Sequence, residues 1–184
     1  MKPRGPLMIE HRLIEAVIGV VRREIAKMRE EKTVDPLFLD TVVDFVRTYA
    51  DRTHHGKEED ILFAALEKKQ MPARDRKVME ELIEEHKHGR ALVGRIVEAE
   101  KAWLRGDKGK LSELADLLSE LADFYPRHIE KEDRDFFPST EKLFSEDELA
   151  AMLREFHAFD AAMIHEKYRK VTAGMGAELP RTLP

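Results

Sequence analysis

The sequence predicts an all-α protein: an up-down-up-down four-helix bundle with an additional C-terminal helix. Composition is the first reason. Of 184 residues, 38% are charged and 7% aromatic, with acidic and basic residues interleaved, as in long helices with solvated outer faces. Periodicity is the second, because apolar residues recur in steps of three and four over windows far longer than a strand. The third is that only short connections separate these windows, which forces successive helices antiparallel. A chain of this size buries one core without staples, so residues 1–173 are expected to form a single domain. The bundle covers about 7–138 and the extra helix about 145–172, with a flexible tail at 174–184.

Each element has its own signature. The first helix carries a seam of Leu7, His11, Ile14, Ile18, Val21, Ile25 and Met28, which puts a histidine inside the apolar stripe. The pattern stops at Lys32–Asp35, where Asp35-Pro36 supplies an N-cap and a proline at the first helical position. The second seam is Leu39, Val43, Val46, Ala50, His54, Glu58, Ile61 and Ala65, ending near Gln70-Met71-Pro72. The third runs from about Ala73 through Met79, Ile83, His86, Val93 and Val97 to a stop at Gly106-Asp107. The fourth follows Gly109 with Leu111, Leu114, Leu117, Leu121, Phe124, His128 and Glu132, and stops at Pro138-Ser139. Pro126 within it removes a backbone donor, so a kink is expected near Ala122–Pro126. Ser145 and Glu148, in capping-box register, open the last helix.

Charge and composition exclude several functions. A net charge of -5 with mixed signs offers no basic stripe, which argues against nucleic acid. There is no cysteine, so disulfides, thiolate zinc sites, iron–sulfur ligation and a Cys nucleophile are all excluded. Any metal must be held by nitrogen and oxygen. Glu10, His11, Arg12 and Glu15 interrupt the N-terminal apolar pattern, and nothing approaches the roughly 20 apolar residues of a membrane span. The expectation is a cytoplasmic protein without membrane contact.

One pattern occurs twice. A histidine is followed by an H-x-x-x-E pair as His11 with His54 and Glu58, and again as His86 with His128 and Glu132, about 75 residues later. Residues four apart share a helical face. An isolated H-x-x-x-E is most simply a surface pair, but these pairs lie in apolar seams, where a carboxylate is strongly penalised unless a cation compensates it. His11 and His54 each lie roughly 27–30 Å from the turn that joins their helices, at about 1.5 Å per residue. The arms of the second hairpin match in the same way, so all six residues can converge in one slab of the core. Four imidazoles and two carboxylates suit iron, manganese, zinc or cobalt and are too rich in nitrogen for calcium or magnesium. Iron is favoured because such a site can change oxidation state, whereas zinc would leave only Lewis-acid or structural roles.

His55 and Glu59 share the same spacing. They phase with the polar stripe of Thr48, Asp51 and Arg52, however, whereas His54 and Glu58 phase with Val43, Val46 and Ala50. The His54/Glu58 register is therefore preferred, and likewise Glu132 over Asp133. His88 is expected to face solvent, His157 and His165 to be packed or exposed, and Glu85, Lys57 and Lys131 to be solvated flanks. Tyr49 and Tyr125 are candidates for core packing first, and otherwise for gating the pocket or carrying redox chemistry. Arg90 could hydrogen-bond a carboxylate or an entering anion, or could be a plain surface residue.

The combination of His11, His54-His55-x-Lys57-Glu58-Glu59-x-x-Leu62-Phe63, Glu85-His86-x-x-Gly89-Arg90 and His128-Ile129-x-Lys131-Glu132-x-x-x-Phe136-Phe137-Pro138 resembles the hemerythrin-like, or HHE cation-binding, domain. The resemblance covers about residues 7–138. It implies two iron ions (Fe2+/Fe3+) with an oxo or hydroxo bridge, Glu58 and Glu132 as bridging carboxylates, and O2, NO or peroxide as the small ligand. The last helix, with Phe156-x-x-Phe159-Asp160 and His165-Glu166-x-Tyr168, is similar to the tail of some bacterial members. Oxygen-carrying members have a further histidine where this chain has Arg90, which implies a set of four histidines and two glutamates. That set is closer to di-iron members linked to nitrosative stress and iron–sulfur repair, although the cysteine-bearing N-terminal region of those proteins is missing here. The leading expectation is a di-iron protein that binds or reduces a small oxidant or handles iron. The alternatives are a metal- or redox-responsive sensor module and a structural zinc or metal-free bundle.

Overall fold

The computed structural model describes residues 2–174, apart from the side chains of 164–166 and 168–174. Of the tail expected at 174–184, Gly174 is still helical and the rest lies outside what is described, as do the side chains of the His165-Glu166-x-Tyr168 motif. Five helices follow one another, and there is no strand among the described residues. Helix α1 is Arg4–Glu31. Helix α2 starts as Pro36–Phe45, winds as a π-helix over Val46–His55 and again over Glu58–Phe63, and ends with Ala64–Leu66. Helix α3 is Ala73–Leu104. Helix α4 is Lys110–Lys131 and continues through a π-helical Glu132–Phe136 to Phe137–Thr140. It therefore runs past the stop expected at Pro138, which lies in the first turn of that final segment. Helix α5 is Glu146–Gly174.

The helix ends follow their local chemistry. Lys32 closes α1 in a left-handed conformation with its N–H donating to Met28 O, a cap that glycine more often supplies. The Asp35 side chain accepts from the Leu37 N–H at 3.0 Å at the start of α2. Gly106, at φ 102°, takes the turn after α3. Ser145 and Glu148 form the reciprocal capping box, with Ser145 N–H donating to Glu148 at 2.8 Å and Glu148 N–H to Ser145 Oγ at 3.3 Å.

Pro126 does not interrupt α4. Its ring deprives the Ala122 carbonyl, four residues earlier, of its helical donor. Arg22 of α1 donates to that carbonyl at 2.7 Å, so the orphaned group is satisfied from the neighbouring helix. The change of winding comes instead at Glu132, one turn past His128.

Ion pairs show the antiparallel order. Arg22 meets Asp123 and Arg29 meets Asp116 between α1 and α4, while Arg90 meets Asp51 between α2 and α3. Two apolar clusters fill the bundle. One gathers Ile14, Ile18, Val21, Ala50, Leu92, Leu118, Ala122 and Tyr125 toward the α1–α2 and α3–α4 turns. The other gathers Leu7, Leu62, Phe63, Leu82, Phe136 and Phe137 at the opposite end, where Met152 and Phe156 of α5 join it. Every seam passes from one cluster to the other through a polar residue, such as His11 between Leu7 and Ile14. Between the two apolar blocks lies a thin buried polar slab.

Candidate metal centre

The slab contains His11, His54, His55, Glu58, His86, His128 and Glu132, none more than 2% exposed. Their atoms fall into two overlapping groups, His11, His54, Glu58 and Glu132 on one side and His55, Glu58, His86 and His128 on the other. Within each group the ligating atoms lie within 4.8 Å of one another. The carboxylates lie between the groups. Glu58 faces His54 Nε2 with Oε1 and His86 Nε2 with Oε2, each at 3.4 Å. Glu132 faces His11 Nε2 with Oε2 at 3.2 Å and His128 Nε2 with Oε1 at 3.4 Å.

An outer layer of carboxylates orients the imidazoles. His54 Nδ1–H donates to Glu10 and His128 Nδ1–H to Glu85, both at 2.8 Å. His11 Nδ1–H donates to Asp133 at 2.8 Å, and His86 Nδ1–H to Glu59 at 2.7 Å. An ionised carboxylate can only accept, which puts a proton on Nδ1 and leaves Nε2 directed at the slab. Cations hold this layer in turn: Lys57 on Glu10, Lys131 on Glu85, Arg12 on Asp133 and Arg90 on Glu59. Lys57, Glu85 and Lys131 were expected to be solvated flanks, yet each is part of this layer, and Lys57 is fully buried. A sequence signal existed: an acidic residue adjoins His11, Glu58, His86 and Glu132 in both copies.

His55 departs most from expectation. In an α-helix adjacent residues point about 100° apart, and the polar stripe assigned His55 to the outside. The π-helical winding of Val46–His55 adds a residue per turn, so His54 and His55 both face inward. The His55 ring stacks on His86 with centroids 3.8 Å apart. The cluster therefore holds five imidazoles rather than four, the fifth coming from α2. Arg90 lies outside it, donating to Asp51 at 2.7 Å and to Glu59 at 2.6 Å. His88 is exposed and paired with Glu120, His157 is exposed, and Tyr49 stacks on Phe45. Tyr125 is buried and lines a cavity of about 90 Å³ with His55, His86, Arg90, Asp51 and Arg47.

The electrostatics suit a cation. Both oxygens of Glu58 and of Glu132, the Nε2 atoms of His11, His54, His86 and His128, and both ring nitrogens of His55 are buried without a well-formed hydrogen bond. So many unsatisfied polar atoms in one place would be strongly destabilising in a protein that kept them without a compensating charge. Burial, reinforced by the Glu132 charge, pushes Glu58 well above the usual carboxylate range. Burial also opposes ionisation of Glu132, but His128 and His11 outweigh it and hold that carboxyl low. Burial, with neighbouring imidazoles adding to it, lowers His54 and His55 well below the ordinary histidine value. His86 is lowered by burial as well. His11 is the exception, since Asp133 and Glu132 overcome its burial and raise it to about 9.

An all-α bundle with a buried, paired carboxylate–histidine cluster defines a class of helical metal-binding domains. The family model of the hemerythrin HHE cation-binding domain matches residues 6–140 and, overlapping, residues 77–181. The chain belongs to that family. No curated protein and no solved structure matches it.

Proposed function

We propose that the chain is a di-iron protein that binds or reduces a small oxidant such as O2, NO or peroxide. The observation that carries this reading is the pair of shared carboxylates, each with its two oxygens turned toward histidines of different groups. Such carboxylates suit two close metal ions. His11 and His54 would hold one ion, and His86, His128 and His55 the other, with Glu58 and Glu132 between them. This donor set accommodates both oxidation states of iron, and bound iron would supply one-electron chemistry there. Manganese or zinc would fit the same atoms.

The protein's own part is to orient and to shield. The outer carboxylates fix the tautomer of four imidazoles, and the apolar clusters on either side exclude bulk water. The cavity beside His55 and His86 gives a small molecule a route, past Arg90 and Tyr125, to the second ion position.

Anaerobic loading with Fe(II), followed by metal counting and exposure to O2, NO and peroxide, tests the proposal. About two irons per chain and an oxidised form with oxo-to-iron absorption are expected for two carboxylate-linked sites. Fewer than about one iron per chain, or a loaded protein whose spectrum ignores all three oxidants, would overturn it. Preferential retention of zinc with no oxidant response would select the structural reading.

A further inference from the structure

We infer that the fifth helix is a working part of the centre: Asp160, acting through Lys57 and Glu10, is a positioning residue for His54 and sets how firmly the His11/His54 position keeps its metal. This rests on the two-metal reading above.

The two halves of the site share an outer triad, His54 with Glu10 and Lys57, and His128 with Glu85 and Lys131. Their cover differs. Lys131 is 27% exposed, and its second partner is Glu81, on the same helix as Glu85, at 3.5 Å. Lys57 is 0% exposed, and its second partner is Asp160 of α5 at 2.7 Å. The Lys57 ammonium also lies over the Phe156 ring, 5.9 Å from its centroid. The α5 helix is seated closely at this point: a Cβ on Gly56 would come within 2.7 Å of Phe159 Cζ.

A fully buried ammonium depends on its counter-charges, since removing one partner of such a pair leaves an uncompensated charge. Glu10 has two duties, accepting from His54 through Oε2 and from Lys57 through Oε1. With Asp160 in place, Lys57 is shared between two carboxylates and Glu10 keeps one oxygen for the imidazole. Without Asp160, Lys57 must draw Glu10 closer or swing toward water, and either movement disturbs the His54 bond. Lys131 can compensate through solvent, so the other half of the site has no such dependence. Because the coupling is reciprocal, metal at the His11/His54 position must in turn favour the docked α5.

The test is a chelator-competed titration of the metal-free full chain with Co(II), whose absorption reports each binding step. It compares the parent with D160N, D160E, F159A and E81Q, with thermal melts of the metal-free forms and hydrogen exchange over residues 146–163. Loss of an orienting partner around a metal ligand weakens binding by about 10–100-fold. D160N acts one bond further out and should lose about tenfold in one step only. D160E should restore that step, F159A should weaken the same step by loosening the docked helix, and E81Q should match the parent. Metal should slow exchange in 146–163 of the parent and do so less in D160N. If the parent binds two Co(II) and D160N and F159A follow it in both steps, the inference is overturned while the two-metal site stands. Equal weakening of both steps, in line with a lower melting midpoint, would show a merely structural role and also overturn it. A parent that binds no Co(II) overturns the site reading and the inference together.

Discussion

At the scale of single residues, the centre is a set of charges and lone pairs whose stability depends on what they face. Glu58 is the least comfortable of them, fully buried beside another carboxylate. E58Q should therefore make the metal-free chain more stable, by about 1–3 kcal/mol, while cutting metal uptake to one ion or none; paired melts and metal counts check both halves. His55 lies between the cavity and the cluster. H55A should weaken metal binding at least tenfold in one step, as loss of a ligand would, whereas H88A, at an exposed residue paired with Glu120, should change nothing in the same titration. Glu85 is held down to about 2, against its own burial, by His128 and Lys131. E85Q should lower affinity by about 10–100-fold while leaving the bundle folded, as affinity and circular dichroism together would show.

At the scale of elements, the site is made by irregular winding. Helices α2 and α4, which each carry an H-x-x-x-E pair, change pitch at the cluster, while α1 and α3 pass it as regular α-helix. Seams at α-helical spacing thus identify His11 and His86 directly but mislead at His55. The Pro126 device belongs at this scale too. Arg22 replaces the donor that Pro126 withholds from Ala122, so R22A should cost about 1 kcal/mol, more than its exposed pairing with Asp123 accounts for. In a P126A background the helix regains its own donor, and the cost of R22A should shrink toward that of the surface pair. A double-mutant cycle by chemical denaturation measures the coupling.

For the whole molecule, the cluster links folding, protons and metal. His54, His55 and His86 are held neutral by burial. An unfolded chain binds their protons more readily, so metal-free stability should fall as pH drops below about 6.5. His11 has the opposite sign. Its folded value is raised to about 9, so its contribution is complete below the unfolded value near 6.5 and is lost as pH rises through about 9. The metal-free protein should therefore melt highest near the lower of these limits. A metal ion held by His11, as proposed, would take the place of its proton, so loading should release protons near neutral pH and remove the alkaline decline. Melting curves across pH with and without Fe(II), together with proton release measured in weakly buffered solution, test this. Metal binding only to the folded form should also raise the melting midpoint with metal concentration.

The amino-acid sequence by itself determined the helical class, the helix order and the duplicated His11, His54, Glu58 and His86, His128, Glu132 pattern. These follow from local periodicity, capping chemistry and residue type, which act within a few turns of chain. Only the tertiary structure decided that His55 faces inward, because π-helical winding is not written in α-helical spacing. It alone decided that Glu10, Glu59, Glu85 and Asp133 serve histidines on other helices, because those bonds cross between segments 27 to 122 residues apart. The burial of Lys57 under α5 was settled in the same way. Burial converts a charged residue from a solvated flank into a partner of the centre, and burial is a property of packed helices.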